Sequence, residues 1–215
     1  MIPATGNERL LWLVLIVLVL SYLAGAWLNR RRSKVIGKWL QAGLGVLGGK
    51  PTWKLTRSLA TGAEVMVADA SRPFQRVQVG YYLLTREIIP LLGIELLRGK
   101  RDLLAIRAEL RVQPAAEYEL MPLQGKLRTL LDSRAGDQPW QWQEMPAGLG
   151  LATRGETSPA TVKAIGSFAK RHGPLIERIS LHPRQPSLTV FVKLPESGVP
   201  AATELLRGLK DVAGS

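Results

Sequence analysis

Residues 10–28 read LLWLVLIVLVLSYLAGAWL, nineteen positions without a charge. Wound as a helix at about 1.5 Å per residue, the run spans about 28 Å, the thickness of a bilayer's hydrocarbon core. It is apolar on every side, whereas a helix packed against a soluble core shows polar periodicity. Trp12 stands near one end and Tyr22 and Trp27 near the other, at levels where aromatic rings sit between lipid and water. We read residues 10–29 as a single transmembrane helix. Ala24-Gly25-Ala26 resembles the small-residue site of a cleaved signal peptide, the competing reading. Two features oppose it. The stretch before the run carries only Glu8 and Arg9, not a positive leader, and Arg30, Arg31, Arg32, Lys34 and Lys38 follow it at once. Such a cluster is held on the cytoplasmic side. The expected topology therefore puts residues 1–9 outside and everything after Asn29 in the cytoplasm.

The pattern changes beyond the anchor. Residues 33–47 continue as a basic juxtamembrane helix (30–49) with Val35, Ile36, Trp39, Leu40 and Leu44 on one broad face, until glycines 43, 45, 48 and 49 end it. Residues 53–59 and 64–68 predict short strands joined by a turn at Thr61-Gly62. Residues 76–85 alternate, with Val77, Val79, Tyr81 and Leu83 on one side. Residues 88–97, IIPLLGIELL, are too short to span a membrane and read as buried or interfacial. Residues 101–110 predict a helix carrying Leu103, Leu104, Ile106 and Leu110. A strand at 116–121, a helix at 126–134 and a strand at 138–144 follow, the last with a possible partner at 148–153. Ser158-Pro159 opens a helix to 171, with serine as N-cap and proline in the first turn. Strands at 175–181 and 188–194 and a helix at 199–212 complete the order. Adjacent strand pairs mixed with helices indicate the α+β class: a cytoplasmic domain over 50–215 with antiparallel strand pairs, and 50–122 and 138–212 as two candidate lobes.

Charge sharpens the picture. The 215 residues carry a net charge of +12 with no cysteine and two histidines. That excludes a disulfide framework, a thiolate metal site, a cysteine nucleophile and a multi-histidine cage. Eight basic residues (Arg30, Arg31, Arg32, Lys34, Lys38, Lys50, Lys54 and Arg57) precede the first following acid, Glu64. The cluster Arg30, Arg31, Arg32, Lys34 and Lys38 is expected to contact anionic lipid, at about 1 kcal/mol per residue, or RNA.

Candidate chemistry is sparse. Gly43-Leu44-Gly45-Val46-Leu47-Gly48 spells a dinucleotide fingerprint, but its glycines end a helix instead of opening one after a strand. Gly49-Lys50-Pro51-Thr52 lacks the earlier glycine of a phosphate loop, and Pro51 displaces the magnesium-holding hydroxyl. His172 closes a helix and reads as a solvated or capping residue near the C-terminal dipole. His182 sits in a turn with no acid or serine in a catalytic spacing. Glu117 and Glu119 share a strand face and read as solvated. Trp140 and Trp142 read as core or edge packing, without the interleaved basic residues of a base-stacking surface. No cofactor, metal or small-molecule substrate is expected, and the chain reads as a non-enzyme. The alternative is a membrane-tethered enzyme or ligand-binding domain with an unrecognised site, or an accessory subunit of a larger membrane complex.

Several segments together resemble the cytosolic region of the calumin family, single-pass coiled-coil-domain proteins of the endoplasmic reticulum. Members act in the PAT complex, which assists insertion of multipass membrane proteins. The likeness runs through Lys34-Val35-Ile36-Gly37-Lys38-Trp39-Leu40 after the anchor and Gly99-Lys100-Arg101-Asp102-Leu103-Leu104 before Pro114. It continues with Gly155-Glu156-Thr157, Phe168-Ala169-Lys170-Arg171-His172, Ile176-Glu177-Arg178-Ile179-Ser180 and the closing strand 188–195. The resemblance implies a helper in membrane-protein biogenesis whose partners are membrane lipids, a membrane-protein partner or insertase, and the ribosome or its RNA. The family's acidic lumenal region has no counterpart here, so calcium is not carried over. Its long basic C-terminal coil has none before Ser215, so any ribosome contact falls to other basic residues, such as 30–38. The short form suits a prokaryotic relative in the plasma membrane; a eukaryotic one would lie in the endoplasmic reticulum.

Overall fold

The computed structural model describes residues 6–55, 62–124, 126–133, 139–194 and 201–215. The first element, α1 (Gly6–Leu44), is one unbroken helix of 39 residues. Its two halves meet different surroundings. From Glu8 to Leu20 every side chain is exposed. From Asn29 onward one stripe is buried: Asn29, Ser33, Ile36, Leu40 and Leu44, spaced at three and four residues, with Leu47 following. Val35, expected on that stripe, is instead exposed, because it stands a quarter-turn away from Ile36. A 3-10 turn at Gly45–Leu47 ends the helix. Gly48 and Gly49 then hold φ of 65° and 71°, a backbone that glycine adopts without a Cβ clash, and turn the chain into the sheet.

Among the described residues nine strands follow: β1 (Lys50–Leu55), β2 (Gly62–Ala68), β3 (Phe74–Tyr82), β4 (Leu103–Leu110), β5 (Glu117–Pro122), β6 (Gln141–Met145), β7 (Leu149–Arg154), β8 (Ile176–Leu181) and β9 (Leu188–Lys193). Between them lie α2 (Ile89–Leu97), α3 (Lys126–Ser133) and α4 (Pro159–His172), and α5 (Ala202–Ala213) comes last. The strands form one antiparallel sheet in the order β1-β2-β3-β4-β9-β8-β5-β7-β6. The class is α+β. The two candidate lobes contribute to this one sheet, which β9 closes by pairing with both β4 and β8.

Register makes the core. Val65, Val79, Ile106, Val190, Ile179, Leu120 and Leu151 stand opposite one another from β2 to β7. Each is 2% exposed or less. Ile36, Leu40 and Leu44 of α1, Ile165 and Phe168 of α4, and Leu205, Leu206 and Leu209 of α5 join the same apolar cluster. Three helices thus cover one face of the sheet. Gly43 lies against Ala202, so that α1 and α5 approach closely; a Cβ there would overlap Ala202. Ser158 caps α4 as the sequence predicts, its Oγ accepting from Thr161 N at 3.4 Å.

One element departs from the sequence reading. Residues 103–110 form a strand, not a helix. Leucine, alanine and arginine favour helices locally, but Leu104, Ile106, Ala108 and Leu110 alternate, and all four are buried. Placed between β3 and β9, this segment satisfies its backbone on both sides and its apolar face on the helices. The other expectations hold with shifted ends. Of the strand expected at 53–59, residues 56–59 lie outside the described residues, as do Thr61, residues 134 and 138, and 199–200 of the last helix.

Candidate membrane-facing site

Where α1 leaves its exposed half, polar side chains from four parts of the chain converge. Asn29 is 1% exposed. Its Nδ2 donates to the Leu84 carbonyl at 3.0 Å and to Glu87 Oε1 at 3.3 Å. Its Oδ1 accepts from Arg86 Nη1 at 2.9 Å. Asp102, 3% exposed, is the hub. Its carboxylate accepts from Arg86 Nη1 at 3.1 Å and Nη2 at 3.0 Å, from Arg32 Nε at 3.1 Å and from the Leu84 backbone N–H at 3.0 Å. Arg32 also reaches the Leu194 carbonyl at 3.1 Å. One turn on, Ser33 and Tyr81 share a buried hydroxyl contact at 2.6 Å. Every acceptor position of the buried carboxylate is engaged, the condition under which such a charge is tolerated inside a fold. The effect is mechanical: the helix is pinned to the ends of β3, β4 and β9 at the level where its apolar half begins.

The basic cluster is divided by this arrangement. Arg30, Arg31, Lys34 and Lys38 are exposed, and the Arg31 guanidinium lies 5.7 Å from the centre of the Trp27 ring. Arg32 is turned inward onto Asp102, the protein's own carboxylate. Lys50 and Lys54 stand exposed on the edge strand β1. Arg57 lies outside the described residues. Helix α2 extends from the same corner, and none of its residues is buried.

Elsewhere the structure revises three further expectations. Glu119 is not solvated. It is 2% exposed and accepts two bonds from Arg178, at 3.0 and 2.8 Å, and one from Ser180 Oγ at 2.6 Å. Hydrogen bonding to Glu119 holds the Arg178 guanidinium above its ordinary pKa, against the lowering effect of burial. Glu117, half-buried, pairs with Arg154. The Trp140 and Trp142 rings do have basic neighbours: Arg154 lies 4.6 Å from the first and Arg128 4.9 Å from the second. These guanidiniums cover the rings on the edge strand β6 side, so edge packing stands and its stated reason changes. His182 is half-buried in the β8–β9 turn.

His172 ends α4 but is not solvated there. It is 5% exposed, its ring centre is 4.8 Å from that of Phe168, and its Nε2 has no hydrogen-bond partner among the described residues. Burial, and then the nearby Arg171, lower its pKa, against a smaller opposing pull from Glu204. The folded imidazole resists a proton that the unfolded chain accepts below about pH 6.5. Its contribution is therefore full above that pH and declines as pH falls. We expect the urea midpoint to drop between about pH 7 and pH 5, and His172→Leu to flatten that drop. An equal pH dependence in the variant would refute this account.

A cleft of about 1100 Å³ opens at the opposite end of the sheet, among Arg72, Arg111, Tyr118, Glu156, Thr161 and Lys210. It lies away from the exposed half of α1, and neither histidine lines it. The sequence assigns no site role to Asn29, Arg86 or Asp102, and it does not pair Glu119 with Arg178. The one available signal was Asn29 itself, a lone amide closing an apolar run.

Fold and site together define a class: an α+β domain built onto the end of one helix that is long and apolar enough, near the N-terminus, to cross a membrane. No protein-family model matches the chain, and no curated protein matches it.

Proposed function

We propose that this chain is a non-enzymatic, membrane-anchored interaction protein that assists insertion or folding of membrane proteins beside the translocon and ribosome, as the calumin-like resemblance implies. In this reading residues 10–29 span the bilayer, residues 1–9 lie outside and the domain faces the cytoplasm. The observation that carries it is the continuity of α1. One unbroken helix has an apolar half that is exposed from Glu8 to Leu20 and a half built into the domain core, so whatever meets the apolar half in the bilayer is coupled directly to a basic head. Exposed Arg30, Arg31, Lys34 and Lys38 supply the cytoplasmic charge that orients such a helix and draws it to anionic surfaces. The best-shielded carboxylates, Asp102 and Glu119, are saturated by arginines and serve the fold rather than proton transfer.

The test is recovery of partners from gently solubilised membranes at low salt, where contacts between charged surfaces are least screened. Ribosomal or insertase components are expected to come with the full chain, and to be reduced when Arg30, Arg31, Lys34 and Lys38 are all replaced by glutamate. Recovery of neither component would sink the proposal. Digestion of the domain by protease added outside intact cells would sink its topology.

A further inference from the structure

We infer that α2 is a second membrane element: a short helix lying in the interface of the leaflet from which α1 emerges, with its apolar side chains among the lipid acyl chains. This goes beyond the interaction role and rests on α1 spanning a bilayer.

The sequence of α2, IPLLGIELL, is almost wholly apolar, and a folded domain normally buries such a segment. Here Ile88, Ile89, Leu91, Ile94 and Leu96 are all exposed, and Leu97 is 90% exposed. They form a contiguous apolar patch of the kind that marks a membrane or partner surface. Its position selects the membrane. A Cβ on Gly25 would overlap the carbonyl of Arg86, so the chain just before α2 touches α1 inside its apolar run. Asn29 then holds Leu84, Arg86 and Glu87 at the same level. The patch is therefore continuous with the apolar half of α1, and a bilayer that takes one meets the other.

The charges near α2 agree. Its one acid, Glu95, is neutralised by Lys100 at 3.1 Å. Arg98 and Arg101 follow the helix, both exposed and neither in an ion pair among the described residues. Together with exposed Arg30, Arg31 and Lys34 they bring positive charge from two elements to the level of lipid phosphates. Nine residues are too few to span, which leaves the interfacial arrangement of an amphipathic or apolar helix lying in the headgroup region.

The chain has no cysteine, so single-cysteine labelling needs no background substitutions. Full-length Ile94→Cys and Leu97→Cys, each carrying an environment-sensitive fluorophore, would be reconstituted in phosphatidylcholine–phosphatidylglycerol vesicles containing a shallow spin-labelled lipid. Leu15→Cys reports the anchor, and Val112→Cys, 81% exposed just past the far end of β4, reports the domain's other end. The α2 probes are expected to be quenched by the spin-labelled lipid at least about threefold more than the Val112 probe, and to resist aqueous iodide. Quenching at Leu15 with α2 probes no more quenched than Val112 would overturn the proposal alone. It would do so whether iodide reached them, meaning a water-exposed helix, or not, meaning one covered by protein. Absence of quenching at Leu15 would remove the anchor, and this inference with it.

Discussion

Asp102→Ala is expected to lower the unfolding free energy by about 4 kcal/mol, because it leaves two guanidiniums without their shared anion. The side chain of Asp102 is 2% exposed, and those of Arg32 and Arg86 are 16% and 15% exposed. Neither arginine can regain full hydration without moving, and the Leu84 N–H loses its acceptor as well. Replacing either arginine alone should be milder, since the carboxylate keeps the other. The measurement is urea unfolding of the full chain in detergent micelles, followed by tryptophan fluorescence. A loss below about 1 kcal/mol would show that the cluster does not hold the helix to the sheet. The same variant should also loosen the anchor against the domain, and so raise proteolysis near residues 84–102 before global unfolding.

Glu119→Ala should cost about 3 kcal/mol, the second-largest effect. Glu119 lies on the sheet face away from the three helices, opposite Ser180 of β8 and Ala152 of β7. Removing it orphans the Ser180 hydroxyl and leaves Arg178 half-buried beside a void. The effect is smaller than at Asp102 because the Arg178 side chain is 33% exposed and can turn to water. Glu119→Gln, which keeps the shape and one acceptor, should retain about half of the lost stability. If alanine and glutamine behave alike, or neither destabilises, the pair does not contribute as described.

The long apolar helix and its continuation into the domain were legible because the signal is local and strong. Nineteen uncharged, mostly apolar residues and then, after Asn29, five cations in nine positions permit few arrangements. The alternating strand around Val77, Val79 and Tyr81 was legible for the same reason, as were the capped helix at Ser158-Pro159 and the α+β class. What failed depended on neighbours remote in sequence. Residues 103–110 have a helical composition, and only the place between β3 and β9 makes their alternation decisive. Glu119 and His172 carry residue types that usually face water, and nothing near them in the chain says otherwise. The partner of Glu119, Arg178, is supplied by a strand 59 residues away, and His172 is buried only once α4 packs onto the sheet.

The basic cluster shows the division within a few residues. Composition alone establishes that positive charge follows the apolar run, since hydrophobicity and charge are additive properties of adjacent residues. Which of those cations faces outward is a different matter. Arg32 differs from Arg30 and Arg31 through its angle on the helix and the presence of Asp102 seventy positions on. The direction of a side chain and the identity of its distant partner arise only when the sheet closes, because both are set by three-dimensional packing rather than by the order of residues.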